Sequence, residues 1–122
     1  MAQKIWGSPV TPWFLGMAFN KRPGKEIKKG WNKIPDNLDI LITHGPPGGI
    51  LDNGIGCEEL KIKIETAIPG IHIFGHAHGQ NGVEETNSIK YVNAALVNSL
   101  NPLEDVSYRL VGRPIILKVS DT

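Results

Sequence analysis

A single cysteine, Cys57, in 122 residues excludes an internal disulfide and suits a reducing compartment. Neither sign of charge is in excess. Thirteen Lys and Arg stand against twelve Asp and Glu, a net charge of +1, which removes any bulk drive toward nucleic-acid polymers or acidic membranes. The basic residues between Lys21 and Lys33 are local and read as a solvated helix face. No apolar run approaches the ~20 residues of a membrane span, and Met1-Ala2-Gln3-Lys4 leads into no signal-like apolar region. These absences predict a cytoplasmic protein with neither a membrane nor a nucleic-acid polymer as partner. Repeats and low complexity are also lacking. The 14 glycines and 9 prolines cluster between apolar runs without a fixed period. The length predicts one domain, 1–122.

What is present is a set of short apolar runs that stop at polar residues. Lys4-Ile5-Trp6-Gly7 reads as a strand, followed by a stiff loop with Pro9, Pro12, Trp13 and Phe14. That loop, with Phe19, either walls a ligand pocket or packs on the core. A helix is predicted over 23–34, where Ile27, Trp31 and Ile34 form one stripe. A strand follows over 38–43, then a glycine-rich loop over 44–56, long enough to suggest function. A second helix is predicted over 56–68, with Cys57, Leu60, Ile64 and Ile68 inward. Cys57 is thereby read as core packing. Ile71-His72-Ile73-Phe74 is the third strand, 79–87 reads as polar turn, and 90–93 is the fourth strand. A loop over 98–105 and a closing β-hairpin, 106–111 with 114–119, complete the α/β pattern.

Two of these strands end in histidine: Thr43-His44-Gly45 and Phe74-Gly75-His76-Ala77-His78. The strand–helix–strand unit over 38–74 makes the two strands parallel. Parallel strands end at one sheet edge, and neighbours lie about 4.8 Å apart. His44, His76 and His78 therefore converge, whereas His72, inside its strand, is read as packed or surface. Neutral imidazole is a common ligand for metals of the Zn, Mn, Fe or Ni class. A histidine general base and a phosphate-binding loop remain as alternatives on spacing alone.

Thr43-His44-Gly45-Pro46-Pro47 and Gly75-His76-Ala77-His78, in this order, resemble the last two motifs of the calcineurin-like metallophosphoesterases. Gly7-Ser8-Pro9-Val10-Thr11-Pro12, Gly56-Cys57-Glu58-Glu59-Leu60 and Tyr91-Val92-Asn93-Ala94 are similar to the brain-type metallophosphoesterase-domain subfamily, and the resemblance covers nearly the whole chain. It implies the C-terminal half of a four-layer α/β sandwich around two divalent metal ions of the Mn, Fe, Zn or Ni class. His44 and His76 would bind the second metal and His78 the first. Gly45, Gly75 and Asn93 would shape the substrate pocket. The implied reaction is phosphodiester hydrolysis, with cyclic nucleotides among the expected substrates and metals that polarise the phosphoryl group.

The family's first three motifs are Asp-x-His, Gly-Asp and Asn-His, and none occurs in this sequence. The expectation is thus a partial domain with an incomplete metal centre, inactive as a fragment alone and completed by a complementing N-terminal half. The alternative is a non-catalytic, self-associating module, a homo-oligomer paired through exposed sheet edges. A third arrangement gathers the three histidines around one ion.

Overall fold

A computed structural model describes residues 2–13, 16, 18–99, 108–110 and 112–119. In chain order the elements are β1 (Ile5–Ser8), β2 (Thr11–Pro12), β3 (Asn20–Lys21), α1 (Lys25–Trp31), β4 (Ile40–Thr43), α2 (Glu58–Ala67), β5 (Ile71–Phe74), β6 (Gly82–Thr86), β7 (Ile89–Asn93), β8 (Val97–Ser99) and β9 (Tyr108–Leu110). The main sheet has the order β1-β4-β5-β7-β6, with β6 alone antiparallel to its neighbour. This is the α/β architecture the sequence predicts, including the parallel β4–α2–β5 unit, and it agrees with a partial metallophosphoesterase fold.

Helix α1 is shorter than the predicted span. Gly24, at φ 87°, precedes it, and a tight turn through Lys33 and Ile34 follows. Its stripe holds: Ile27, Trp31 and Ile34 are all buried. Along α2, Cys57, Leu60 and Ile64 are buried as predicted, but Ile68 is 55% exposed. The reason is conformational. Ile68 sits at φ 48° as a left-handed cap, which turns its side chain off the helix face before Pro69 ends the segment. The Trp31 indole donates to the Cys57 sulfur at 3.3 Å, and burial raises the Cys57 pKa above its ordinary value. Cys57 is a packed core thiol.

Successive residues of a strand point to opposite faces. Leu41, His72, Phe74 and Tyr91 are buried in or beside the core formed with α1 and α2. The alternate residues Ile40, Ile42, Ile71 and Ile73 are half-buried or exposed. Register aligns Ile5, Ile40 and Ile71 in one row across β1, β4 and β5.

Residues 79–87, read as polar turn, hold β6. Its residues Val83, Glu84, Glu85 and Thr86 are all exposed, so no apolar face marks it as a strand. It pairs with β7 through a two-residue turn, Asn87-Ser88, both at positive φ (52° and 65°). That turn twists in the sense a hairpin needs. A C-terminal antiparallel hairpin is present, and β9 falls within the predicted strand 106–111, but its partner is not the predicted 114–119. β9 pairs with β8, whereas 112–119 carries no strand. The Asn81 side chain takes the place of a partner strand there. Its Nδ2 donates to Arg113 O and its Oδ1 accepts from Arg113 N, both at 3.2 Å. Residues 100–107 and 111 of the predicted loop and strand lie outside the described residues.

The glycine-rich loop is built around Asp52. Its carboxylate accepts from the N–H groups of Gly49 (2.8 Å), Gly56 (3.2 Å) and Gly54 (3.3 Å). Only glycine fits at 56, since a Cβ there would run into Pro47 O and would meet Asp52 Oδ2 at 2.6 Å. The loop thereby packs Pro46 and Pro47 into the core and leads the chain from His44 to α2.

Candidate functional site

The site forms where β4 and β5 end. Ile42 is in register with Ile73, so the next residues of both strands emerge at one edge. Gly75 N donates to His44 O at 2.9 Å, fastening the two exits together. The imidazoles of His44 and His76 then face each other, with ring centroids 4.8 Å apart and planes tilted by 41°. His44 is exposed, and His76 and His78 are half-buried.

The backbone at His76 is unusual. Its φ is 64°, and Ala77 N donates across it to Gly75 O at 2.6 Å. This three-residue turn with a positive-φ centre is rare and strained. Burial pulls the pKa of His76 below its usual value, and the neighbouring His44 and His78 pull it in the same direction. The ring is therefore held neutral near pH 7, the form that donates a lone pair to a metal.

Two polar side chains are buried behind the histidines. Thr43 Oγ1 donates to Gly45 O at 2.7 Å and lies 2.8 Å from His72 Nε2. Because the hydroxyl proton is used on the carbonyl, His72 must carry its proton on Nε2 and donate it to Thr43. His72 Nδ1 has no partner. The ring is fully buried against Phe74 and Tyr91, and burial lowers its pKa to about 3. His72 is a packed histidine, as its mid-strand position predicts. Asn93, at the end of β7, is also fully buried, and its carboxamide binds Leu51 O, Ala77 O and Ala95 N.

Two cavities meet at the histidine pair. One, of about 570 Å³, is walled by Ser8, Pro9, His44, Gly75, His76 and Ala95. The other, of about 340 Å³, lies between the pair and Pro9, Thr11, Phe19 and Asn20. Of the aromatic residues in the 8–19 segment, Phe19 is on a cavity wall, and Trp13 is 66% exposed. Phe14 lies outside the described residues. Gly45 is close behind the pair: a Cβ there would sit 3.6 Å from His76 Cδ2. Neither cavity wall includes Asp or Glu. Among the described residues, no three His, Cys, Asp or Glu side chains gather as a metal-holding group. The three histidines therefore do not close around one ion by themselves, and the pair that meets is His44 with His76.

No family model matches the chain. Individual relatives do. The chain is 40% identical over 121 residues to human and mouse metallophosphoesterase domain-containing protein 1, a match over 93% of this chain and 35% of theirs. The chain is a metallophosphoesterase-domain relative. A UPF0046 protein of Caenorhabditis elegans is 32% identical over 119 residues, across 94% of this chain and 38% of its own length. The chain thus spans little more than a third of these relatives, and in the human and mouse proteins the match falls in the C-terminal part.

Membership of the metallophosphoesterase family implies use of divalent metal ions. The two facing rings, one of them held neutral, fit such an ion as part of a ligand set. Two contributors to this strand-end site had no role in it assigned from the sequence. Thr43 had one available signal, a hydroxyl residue placed directly before a strand-end histidine. His72 had none, since its hydrogen bond crosses 29 residues. Among the described residues no helix is long and apolar enough to cross a membrane.

Proposed function

We propose that this chain carries one side of a divalent-metal phosphoesterase centre, with His44 and His76 as ligands of one metal and His78 of the other. The supporting observation is the facing pair of imidazoles at the ends of adjacent parallel strands. The family relationship supplies the reaction class, hydrolysis of phosphoesters, with phosphodiesters such as cyclic nucleotides as the substrate class. When bound, such metals polarise the phosphoryl group and activate water.

The chain's own residues bind and orient. Neutral His76 offers a lone pair without a proton to displace, and His44 approaches it from the neighbouring strand. Gly45 and Gly75 keep the floor beside the rings low, and Asn93 shapes the cleft from behind. Three histidines divided between two ions leave each ion short of ligands and supply no carboxylate to offset its charge. The remaining ligands then come from outside this chain, through a complementing N-terminal half, and the centre is cytoplasmic.

The test pairs binding with turnover. Calorimetry with Mn2+ should show weak uptake by the chain that His44→Ala abolishes. Bis-p-nitrophenyl phosphate and 2′,3′-cyclic AMP should not be turned over by the chain alone at a useful rate. Clear turnover that His44→Ala removes would overturn the claim that outside ligands are required. Metal uptake indifferent to His44→Ala and His76→Ala would overturn the site itself.

A second reading, a self-associating non-catalytic module, has one observation in its favour. Ile5, Ile42 and Val83 are 57%, 43% and 47% exposed on the main sheet, an apolar surface of the kind that associates. A stable monomer in size-exclusion chromatography at high concentration would remove it.

A further inference from the structure

Asn93 ends β7 in register with Phe74, directly behind the residue that starts the Gly75–His78 turn. It is 0% exposed. Its Nδ2 donates to Leu51 O at 2.9 Å and to Ala77 O at 3.1 Å, and its Oδ1 accepts from Ala95 N at 2.9 Å. The orientation of the carboxamide is unambiguous, because two carbonyls can only accept and a peptide N–H can only donate. One side chain thus joins three segments: the glycine-rich loop, the histidine turn and the exit of β7.

Both anchored carbonyls lie at or next to a residue in an uncommon backbone conformation. Leu51 itself is at φ 48°, and His76, immediately before Ala77, is at φ 64°. Non-glycine residues seldom occupy this region, and they persist there when surrounding contacts over-determine them. For the His76 turn those contacts are Ala77 N to Gly75 O within the turn, Gly75 N to His44 O beneath it, and Asn93 to Ala77 O behind it. The first two act on the N-terminal side of Ala77, whose side chain is itself fully buried. The Asn93 bond holds the carbonyl on its C-terminal side.

We propose that Asn93 is a positioning residue for the histidine pair: its carboxamide holds the strained turn at His76 and so keeps the His76 imidazole facing His44. Without it, the carbonyls of Leu51 and Ala77 lose this donor, the second of them in a buried setting, and the turn relaxes toward negative φ. That rotation carries the His76 ring away from His44. The geometric part of this inference is independent of any metal. Only its consequence for metal affinity rests on the function proposed above.

The test uses Asn93→Ala in the 122-residue chain, with Asn93→Ser as a milder second variant and Ile64→Val as a core control that lowers stability away from the site. The first readout needs no metal. Wild-type protein should show a nuclear Overhauser effect between the His44 and His76 ring protons, lost in Asn93→Ala, weakened in Asn93→Ser and intact in Ile64→Val. The second readout is Co2+ titration by visible absorption. Asn93→Ala should weaken binding about tenfold or more, the range for residues that orient a ligand, with Ile64→Val unchanged. A folded Asn93→Ala that keeps the ring contact and the Co2+ affinity overturns the proposal. So does failure of both Asn93 variants to fold, which would assign the residue to the fold as a whole. Loss of the ring contact in a chain whose wild type takes up no Co2+ supports the positioning role and sinks the metal reading.

Discussion

The two faces of the main sheet are made of the same strands and work differently. On the helix-covered face, Leu41, His72 and Asn93 are 0% exposed and Thr43 is 3% exposed. On the open face, Ile5 is 57% and Ile42 43% exposed, with Ile40, Ile71 and Ile73 half-buried. Side chains of similar apolarity are thus removed from water on one face and mostly left partly wet on the other, where Val92, at 2% exposed, is the exception. Burial free energy follows the area withdrawn from water, so the covered face carries most of the fold. It also carries the polar residues that brace the site. Hydrogen bonds from Thr43 and Asn93 are sheltered there from competing water, and they reach the turns that present His44 and His76.

The comparison can be broken most strongly at the centre of the covered face. Ile64, 0% exposed on α2, should lose about 3 kcal/mol when cut to alanine, the cost of lost transfer energy plus a cavity. Urea denaturation reads this directly, and a loss as small as that of an open-face variant would end the distinction. Next comes the loop that feeds the site. Asp52→Ala removes the acceptor of three backbone N–H groups and should cost roughly 2 kcal/mol, again by urea denaturation.

Acid should act on the covered face through His72. Its folded pKa, about 3, lies below its ordinary 6.5, so the unfolded chain takes up this proton first. The stability that neutral His72 provides is complete above pH 6.5 and is lost as pH falls toward 3. The slope from this group alone is at most about 1.4 kcal/mol per pH unit. Denaturation midpoints measured across that window should lose this component in His72→Phe, and an unchanged acid slope would show that His72 does not titrate this way. The smallest effect belongs to the open face. Ile42→Ser should change stability by no more than about 0.5 kcal/mol, as for other exposed positions. If the protein self-associates through this surface, the same variant should shift its elution toward monomer.

The legible parts of the fold were those with a local period. Ile27, Trp31 and Ile34 mark α1 by their spacing, and Leu60 and Ile64 mark α2, because one helix face must be apolar to pack. The Ile71–Phe74 strand was readable as a short apolar run before a glycine. β6 was not, since a solvent-facing edge strand of Glu and Thr shows no alternation of polarity. The final hairpin was misassigned for a related reason. Pro114-Ile115-Ile116-Leu117 has strong strand propensity, but propensity does not choose a partner. β9 found β8, and the Asn81 amide occupied the backbone of Arg113.

By itself the sequence determined the helices, the parallel unit and the placing of His44, His76 and His78 at strand ends, because each follows from local periodicity and chain connectivity. Tertiary structure alone decided how those histidines are held. The hydrogen bond from Asn93 to Leu51 spans 42 residues, and the contact between Thr43 and His72 spans 29. The positive φ of His76 is a strained state that local preference disfavours and that surrounding contacts impose. Such pairings depend on register and burial across the sheet, which exist only once the strands have come together.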